Sequence, residues 1–188
     1  MRTEVHVHGY LELVEGVSRR QVEGALRPLL QYLDLEHLSE LKSLESDQPG
    51  FTFSTRNYTL DICCTLEVGR NFLPSLDEAM QALGKMVENA TAVEITTYHE
   101  DGEDETQLMF VGPTPEAIRD AQRRYMLEDV ADLLSRHFKQ DAVDEVLALV
   151  SDLFRRERNA AGNVPEAEEP EEFSALQMPE SSGRNRLH

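Results

Sequence analysis

Between Glu4 and Val14 the chain alternates without a break. Val5, Val7, Leu11 and Leu13, with Gly9 among them, fall on one side of an extended backbone, and His6, His8, Tyr10 and Glu12 fall on the other. A helix that buries one face repeats its apolar residues every three to four positions. A sustained period of two instead requires a β-strand with one apolar and one polar face. Such a strand is not stable alone, because its apolar face needs a covering layer. The rest of the chain is therefore read for what covers that face and for what stands on the other.

The covering elements are helical. Ser18 with Gln21 three residues on forms a capping box, and Val17 can pack on Val22. Val22, Leu26, Leu29, Leu30 and Leu33 then make one apolar stripe. Pro28 lies inside this stripe and cannot donate to the carbonyl of Gly24, which predicts a kink. Leu35, Leu38, Leu41 and Leu44 recur every third position, which predicts a second short helix capped by Asp34 and ended by the turn Gln48-Pro49-Gly50. Ser75 and Glu78 form another capping box. The helix they open is expected to run to about Glu88, with Leu76, Met80, Leu83 and Val87 inward.

The remaining segments read as strands. Phe51 to Val68 divides into two near Arg56-Asn57. In the second, Tyr58, Leu60, Ile62, Cys64, Leu66 and Val68 share a face, and Thr59, Asp61, Cys63, Thr65 and Glu67 share the other. Ala92 to His99 places Val93 and Ile95 inward and Glu94 outward. The acidic turn at 100–105 contains Asp101-Gly102, a hairpin signal, and Thr106 to Val111 returns as a strand. The order predicts an α+β fold: a two-layer sandwich with an antiparallel sheet and helices on one face. In topology it is ferredoxin-like βαββαβ plus an extra strand, with the first and third strands side by side.

This sandwich is assigned to residues 1–112. Gly112-Pro113-Thr114-Pro115 marks a boundary, with Thr114 as cap and Pro115 at the first helical position. Residues 113–158 read as a helical hairpin broken near Lys139-Gln140-Asp141. Residues 159–188, rich in Pro, Glu, Ser and Gly, read as a disordered acidic tail, and Phe173, Leu176 and Met178 within it read as tail composition alone, with a short docking motif as the alternative.

Charge narrows the partners. The net charge is −18. Residues 1–112 hold 8 basic and 20 acidic residues, net −12; residues 113–158 hold 8 and 10, net −2; residues 159–188 hold 2 and 6, net −4. Phosphate backbones and anionic membranes are bound through Lys and Arg, so direct nucleic-acid or membrane binding is not expected. A protein partner is expected, with a basic surface favoured, together with a homodimer through the hairpin. No apolar run of about 18 residues is present. Met1-Arg2-Thr3-Glu4-Val5-His6 leads straight into a strand, so the expected compartment is the cytoplasm. Cys63 and Cys64 are adjacent and face opposite sides of a strand, so they are expected as two reduced thiols.

The candidate site is the polar sheet face. If the first and third strands are neighbours, His6, His8 and Tyr10 face the same side as Asp61 and Cys63, and Glu94 joins from another strand. Two imidazoles on alternate residues can share a ligand, and Asp61 can orient a histidine. These six residues are assigned to ligand binding. No catalytic residue, metal or cofactor is assigned, because His-x-His alone specifies none. The acidic turn lacks the ligand spacing of a calcium loop. Gly-rich phosphate loops, Gly-x-Ser-x-Gly, Cys-x-x-Cys and His-Glu-x-x-His are absent. The leading expectation is a non-enzymatic interaction protein: an adaptor, an inhibitor or a regulatory subunit. The alternatives are a ligand- or metal-binding protein or enzyme using His6, His8 and Asp61, and an acidic mimic of nucleic acid that blocks a DNA- or RNA-binding protein.

Overall fold

The computed structural model describes residues 2–99 and 102–161, with side chains described as far as Arg156. The element order is β1 (Thr3–Glu12), α1 (Arg19–Ala25), α2 (Arg27–Tyr32), a single 3₁₀ turn (Leu38–Glu40), β2 (Gly50–Ser54), β3 (Thr59–Val68), α3 (Phe72–Gly84), β4 (Thr91–Tyr98), β5 (Glu105–Val111), α4 (Pro115–Ser135) and α5 (Gln140–Ala161). The fold is α+β, and its strands form one five-stranded antiparallel sheet in the order β2-β3-β1-β4-β5. β1 is the middle strand. It pairs with β3 from Thr3↔Val68 to Glu12↔Thr59 and with β4 from Glu4↔Tyr98 to Gly9↔Val93.

The alternation in β1 does what its period requires. Val5, Val7 and Leu11 are buried, together with Leu60, Ile62 and Cys64 of β3 and Val93 and Ile95 of β4. They join one core cluster with Val22, Leu26, Leu29 and Leu30 and with Phe72, Leu76, Met80 and Leu83 of α3. Each fully buried aliphatic side chain contributes about 1.5–3 kcal/mol of transfer free energy. Gly9 sits opposite Val93 in this row, and a Cβ there would lie 3.0 Å from Val93 Cγ2, so a larger residue would have to press the Val93 side chain aside.

Four local features depart from the sequence reading. The expected kink at Pro28 is a complete break. Leu26 ends α1 with its N–H still bonded to Val22 O, and Pro28 falls in the first turn of α2, where its missing N–H costs nothing. The apolar stripe nevertheless runs through the break, with Val22, Leu26, Leu29 and Leu30 all buried.

The second departure is at Asp34, which caps no helix. It takes a left-handed conformation (φ 57°) and terminates α2. Leu35 N–H donates to Leu30 O (2.9 Å) and Asp34 N–H to Gln31 O (3.2 Å), which is the Schellman arrangement. The leucines at every third position form no α-helix. Three is the period of the 3₁₀ turn, and that turn buries Leu38 and is followed by buried Leu41. Glu40 accepts from the backbone N–H groups of Glu36 and His37, and these bonds hold its carboxyl below the usual range.

The third departure is the start of α3, at Phe72 rather than Ser75, without a side-chain cap. Phe72 is buried against the Tyr32 ring (centroids 5.9 Å apart), and Tyr32 Oη accepts from Gly69 N–H at 2.7 Å. This tertiary anchor outweighs the local capping signal. Finally, α3 ends at Gly84 and not near Glu88. Val87 remains buried in an isolated bridge to Leu13, and the N–H of Val14 and the N–H of Glu88 tie the two segments together through Met86 O and Glu12 O. The hairpin cap behaves as read: Thr114 Oγ1 accepts from Ala117 N–H at 3.1 Å, with Pro115 opening α4. α5 continues to Ala161, and the tail assigned beyond it, with Phe173, Leu176 and Met178, lies outside the described residues.

Gly50, the first residue of β2, has φ +77°, and a Cβ there would lie 2.6 Å from the Leu41 carbonyl oxygen. Both the backbone conformation and the contact exclude a side chain. Gly50→Ala is expected to lower the free energy of unfolding by about 2–4 kcal/mol, the sum of left-handed strain and a backbone clash. Urea denaturation followed by circular dichroism measures it. A change below about 0.5 kcal/mol, the range of ordinary surface substitutions, would refute the account.

Candidate functional site

The polar face of the sheet is built around Thr65, a threonine only 2% exposed. Its backbone N–H donates to Ser43 Oγ (2.8 Å), and its carbonyl accepts from Leu44 N–H (2.8 Å). Both groups therefore turn away from β1, toward the side that β2 vacates beyond Gly50↔Cys63. In an antiparallel ladder this makes His6↔Thr65 a non-hydrogen-bonded pair, and by the same parity His8↔Cys63 as well. Such pairs bring the facing side chains closest together.

The side chains follow. His6 Nδ1 lies 3.0 Å from Thr65 Oγ1. The His6 and His8 rings stack, with centroids 6.2 Å apart and planes within 12°. One ring nitrogen from each histidine and the Cys63 sulfur all lie within 4.8 Å of one another. Among the described residues this is the one group of three with metal-ligand chemistry. His6 and Cys63 are half-buried and His8 is exposed.

Three further hydrogen bonds assign the His6 tautomer. Ser43 Oγ accepts from the N–H groups of Thr65 and Glu45, so its own proton points outward to acceptors, to Gln48 Oε1 at 2.6 Å and more weakly to Thr65 O at 3.3 Å. The Gln48 oxygen therefore faces this cluster, and Thr65 Oγ1, 2.9 Å away, donates to it as well. A hydroxyl has one proton. Thr65 Oγ1 must then accept from His6 Nδ1–H, which leaves the lone pair of a neutral His6 on Nε2.

The other predicted residues stand nearby but apart. Asp61 faces Tyr10, one non-hydrogen-bonded pair further along the same ladder, and neither belongs to the three-residue group. Glu94 faces His8 from β4 and is exposed. Ser43, Gln48 and Thr65 are the members that sequence reasoning missed. Ser43 lies in the segment read as a helix and Gln48 in the turn read as ending it, and a buried threonine on a polar face leaves no periodic signal. Among the described residues nothing covers His8, which is exposed. α4 reaches the polar face only near the end of β5, where the Tyr125 ring meets Phe110 edge-on (5.6 Å, 88°) and Arg124 donates to Ala90 O at 3.2 Å.

The two cysteines are free thiols in opposite environments. Burial in the core pushes the Cys64 thiol up to about 11, against a smaller lowering by a hydrogen bond with Ser43. Cys63 stands on the open face.

A second feature lies in α4 and α5. The inner stripe of α5 starts at Val143, which is buried, and continues through Leu147, which lines an open cleft of about 600 Å³ with Leu127 and Ala131 of α4. Met126 and Leu133 of α4, Phe138 in the link, and Val146, Leu149 and Leu153 of α5 are between 39% and 60% exposed. Ala121 is the one buried residue in the whole of α4. Among the described residues no helix is long and apolar enough to cross a membrane.

The thiol environments set an expected reactivity. At pH 8 one thiol per folded chain, that of Cys63, should react promptly with a disulfide reagent, and two should react in denaturant. Cys63→Ser should remove the prompt reaction. Equal rates for both thiols in the folded chain would contradict the assigned burial.

No curated protein and no solved structure matches the chain. One family does, over residues 3–155, from the first residue of β1 into the last turns of α5, so both terminal helices are part of the shared unit. The chain belongs to DUF6806, a family of unknown function.

Proposed function

We propose that this protein works by protein–protein association, as an adaptor, inhibitor or regulatory subunit, and that α4 and α5 are its docking surface, with a second copy of the chain as occupant. The observation that carries this is the outer stripe of α4 and α5. Met126, Val130 and Leu133 in one helix, and Val146, Leu149 and Leu153 in the other, recur at intervals of three and four, the spacing of helix-on-helix packing. Each helix also has an inner stripe toward its neighbour, so the outer one is surplus to the chain's own packing. Exposed apolar rows of this extent mark association surfaces.

Charge favours a second copy. The sheet region carries net −12 and would repel its twin, but residues 113–158 carry only −2, so the copies can meet there with little electrostatic cost. We read the body that presents these helices as a two-layer, ferredoxin-like arrangement, supported by the strand order β2-β3-β1-β4 with β5 added at the edge. A reducing compartment such as the cytoplasm suits the two free thiols.

Size-exclusion chromatography with light scattering tests the reading. The full chain, 21.4 kDa, should elute at twice that mass at tens of micromolar. Leu149→Glu or Leu153→Glu, at positions exposed in the single chain, should leave the circular dichroism unchanged. Each should weaken the dimer more than about a hundredfold, because the side chain is lost twice per dimer at roughly 1.5–3 kcal/mol each. A wild-type monomer at these concentrations overturns the second copy as occupant.

A further inference from the structure

The polar sheet face is not used by this association, and its geometry points to a separate chemistry. We propose that His6, His8 and Cys63 bind a divalent zinc-class metal ion, with Thr65 as the positioning residue that fixes the His6 tautomer.

The donor set selects the ion. Two imidazole nitrogens and a thiolate are borderline-soft ligands that suit zinc and its neighbours, whereas magnesium and calcium require oxygen. The distances fit after a small contraction. With metal–nitrogen bonds near 2.0–2.1 Å and a metal–sulfur bond near 2.3 Å, tetrahedral ligand atoms stand roughly 3.3–3.6 Å apart. The three atoms here lie within 4.8 Å of one another, so at most roughly 1.2–1.5 Å must close at each edge. The exposed His8, whose side chain makes no hydrogen bond among the described residues, and the half-buried Cys63 have the freedom to close it.

His6 does not need that freedom, because its orientation is already set. Metal-binding histidines characteristically donate their other ring N–H to a fixed acceptor, which holds the tautomer and the ring plane. Thr65 Oγ1 is such an acceptor, and it is itself held by Gln48 and Ser43 from the loop before β2. This relay, independent of the three-atom cluster, leaves the Nε2 lone pair of His6 as the one a ligand can take.

Binding is a ligand exchange with no redox step. Metal–nitrogen and metal–sulfur bonds form, waters leave the ion, and the thiol proton of Cys63 passes to solvent. Three protein ligands leave a fourth position on the open side of the sheet for water. Glu94, opposite His8, adds negative charge beside the dication.

The test is a titration of the reduced, untagged full chain with cobalt(II). The expected result is one ion per chain, with a thiolate-to-cobalt charge-transfer band and the intense visible bands of a tetrahedral ion, both abolished when zinc displaces it. Cys63→Ser should lose the charge-transfer band, and Cys64→Ala should keep it. His8→Gln should weaken binding at least as much as Thr65→Val. Thr65→Val should lower affinity by roughly 10–100-fold, and Thr65→Ser should restore it. Circular dichroism confirms that each variant is folded. Absence of the band in the wild-type chain, its persistence in Cys63→Ser, or unchanged affinity in Thr65→Val overturns the proposal. Chain mass by light scattering reports separately on the α4–α5 surface, so failure of either reading leaves the other intact.

Discussion

β1 presents its backbone groups alternately, toward β3 at one residue and toward β4 at the next, and from Glu4 to Gly9 it is paired on both sides. A strand hydrogen-bonded on both edges cannot slip by one residue without reversing its faces. A slip would move Val5, Val7 and Leu11 out of the core and put His6 and His8 into it. The hydrophobic core and the composition of the open face are thus consequences of one register. The same parity places Thr65 and Cys63 at the close-contact pairs, so the short distance from His6 to its hydroxyl partner derives from the ladder that buries Val7.

The parts that were legible in the sequence are those governed by a single local period. The alternation in β1, β3 and β4 specified strands and faces, because nothing but a half-buried strand satisfies it. The capping box at Ser18 and the Thr114-Pro115 start were legible because their hydrogen bonds close within one turn. Legibility failed where a distant contact decided. α3 begins at Phe72 because Tyr32 holds that ring, not because of anything between residues 71 and 78. In the segment from Asp34 to Gly50 the three-residue leucine spacing predicts a short helix capped by Asp34, but the Schellman turn at Asp34 ends the preceding helix and only one 3₁₀ turn, Leu38–Glu40, follows.

The candidate face was legible to the same extent. His6, His8, Tyr10, Asp61, Cys63 and Glu94 were all readable as facing one way. Which of them meet was not, because pairing register is a tertiary quantity. It joined His8 to Cys63 and left Asp61 with Tyr10. The hydroxyl relay from Ser43 through Gln48 to Thr65 lay beyond sequence reasoning, since it connects a loop of irregular structure to the polar side of a strand. The two stripes of α4 and α5 were visible only as an excess of apolar positions, and side-chain exposure was needed to separate the inner from the outer.

The adjacent thiols on β3 carry a consequence of their own. Successive residues of a strand point through opposite faces, so the sheet separates Cys63 from Cys64 although one peptide bond joins them. The chain has no other cysteine. A sulfenic acid formed at Cys63 therefore has no resolving thiol in its own molecule, and it must be resolved by a small thiol or by another chain. The sheet acts as a one-sided redox barrier: oxidants meet a single sulfur, and its neighbour stays in the core as a small hydrophobe.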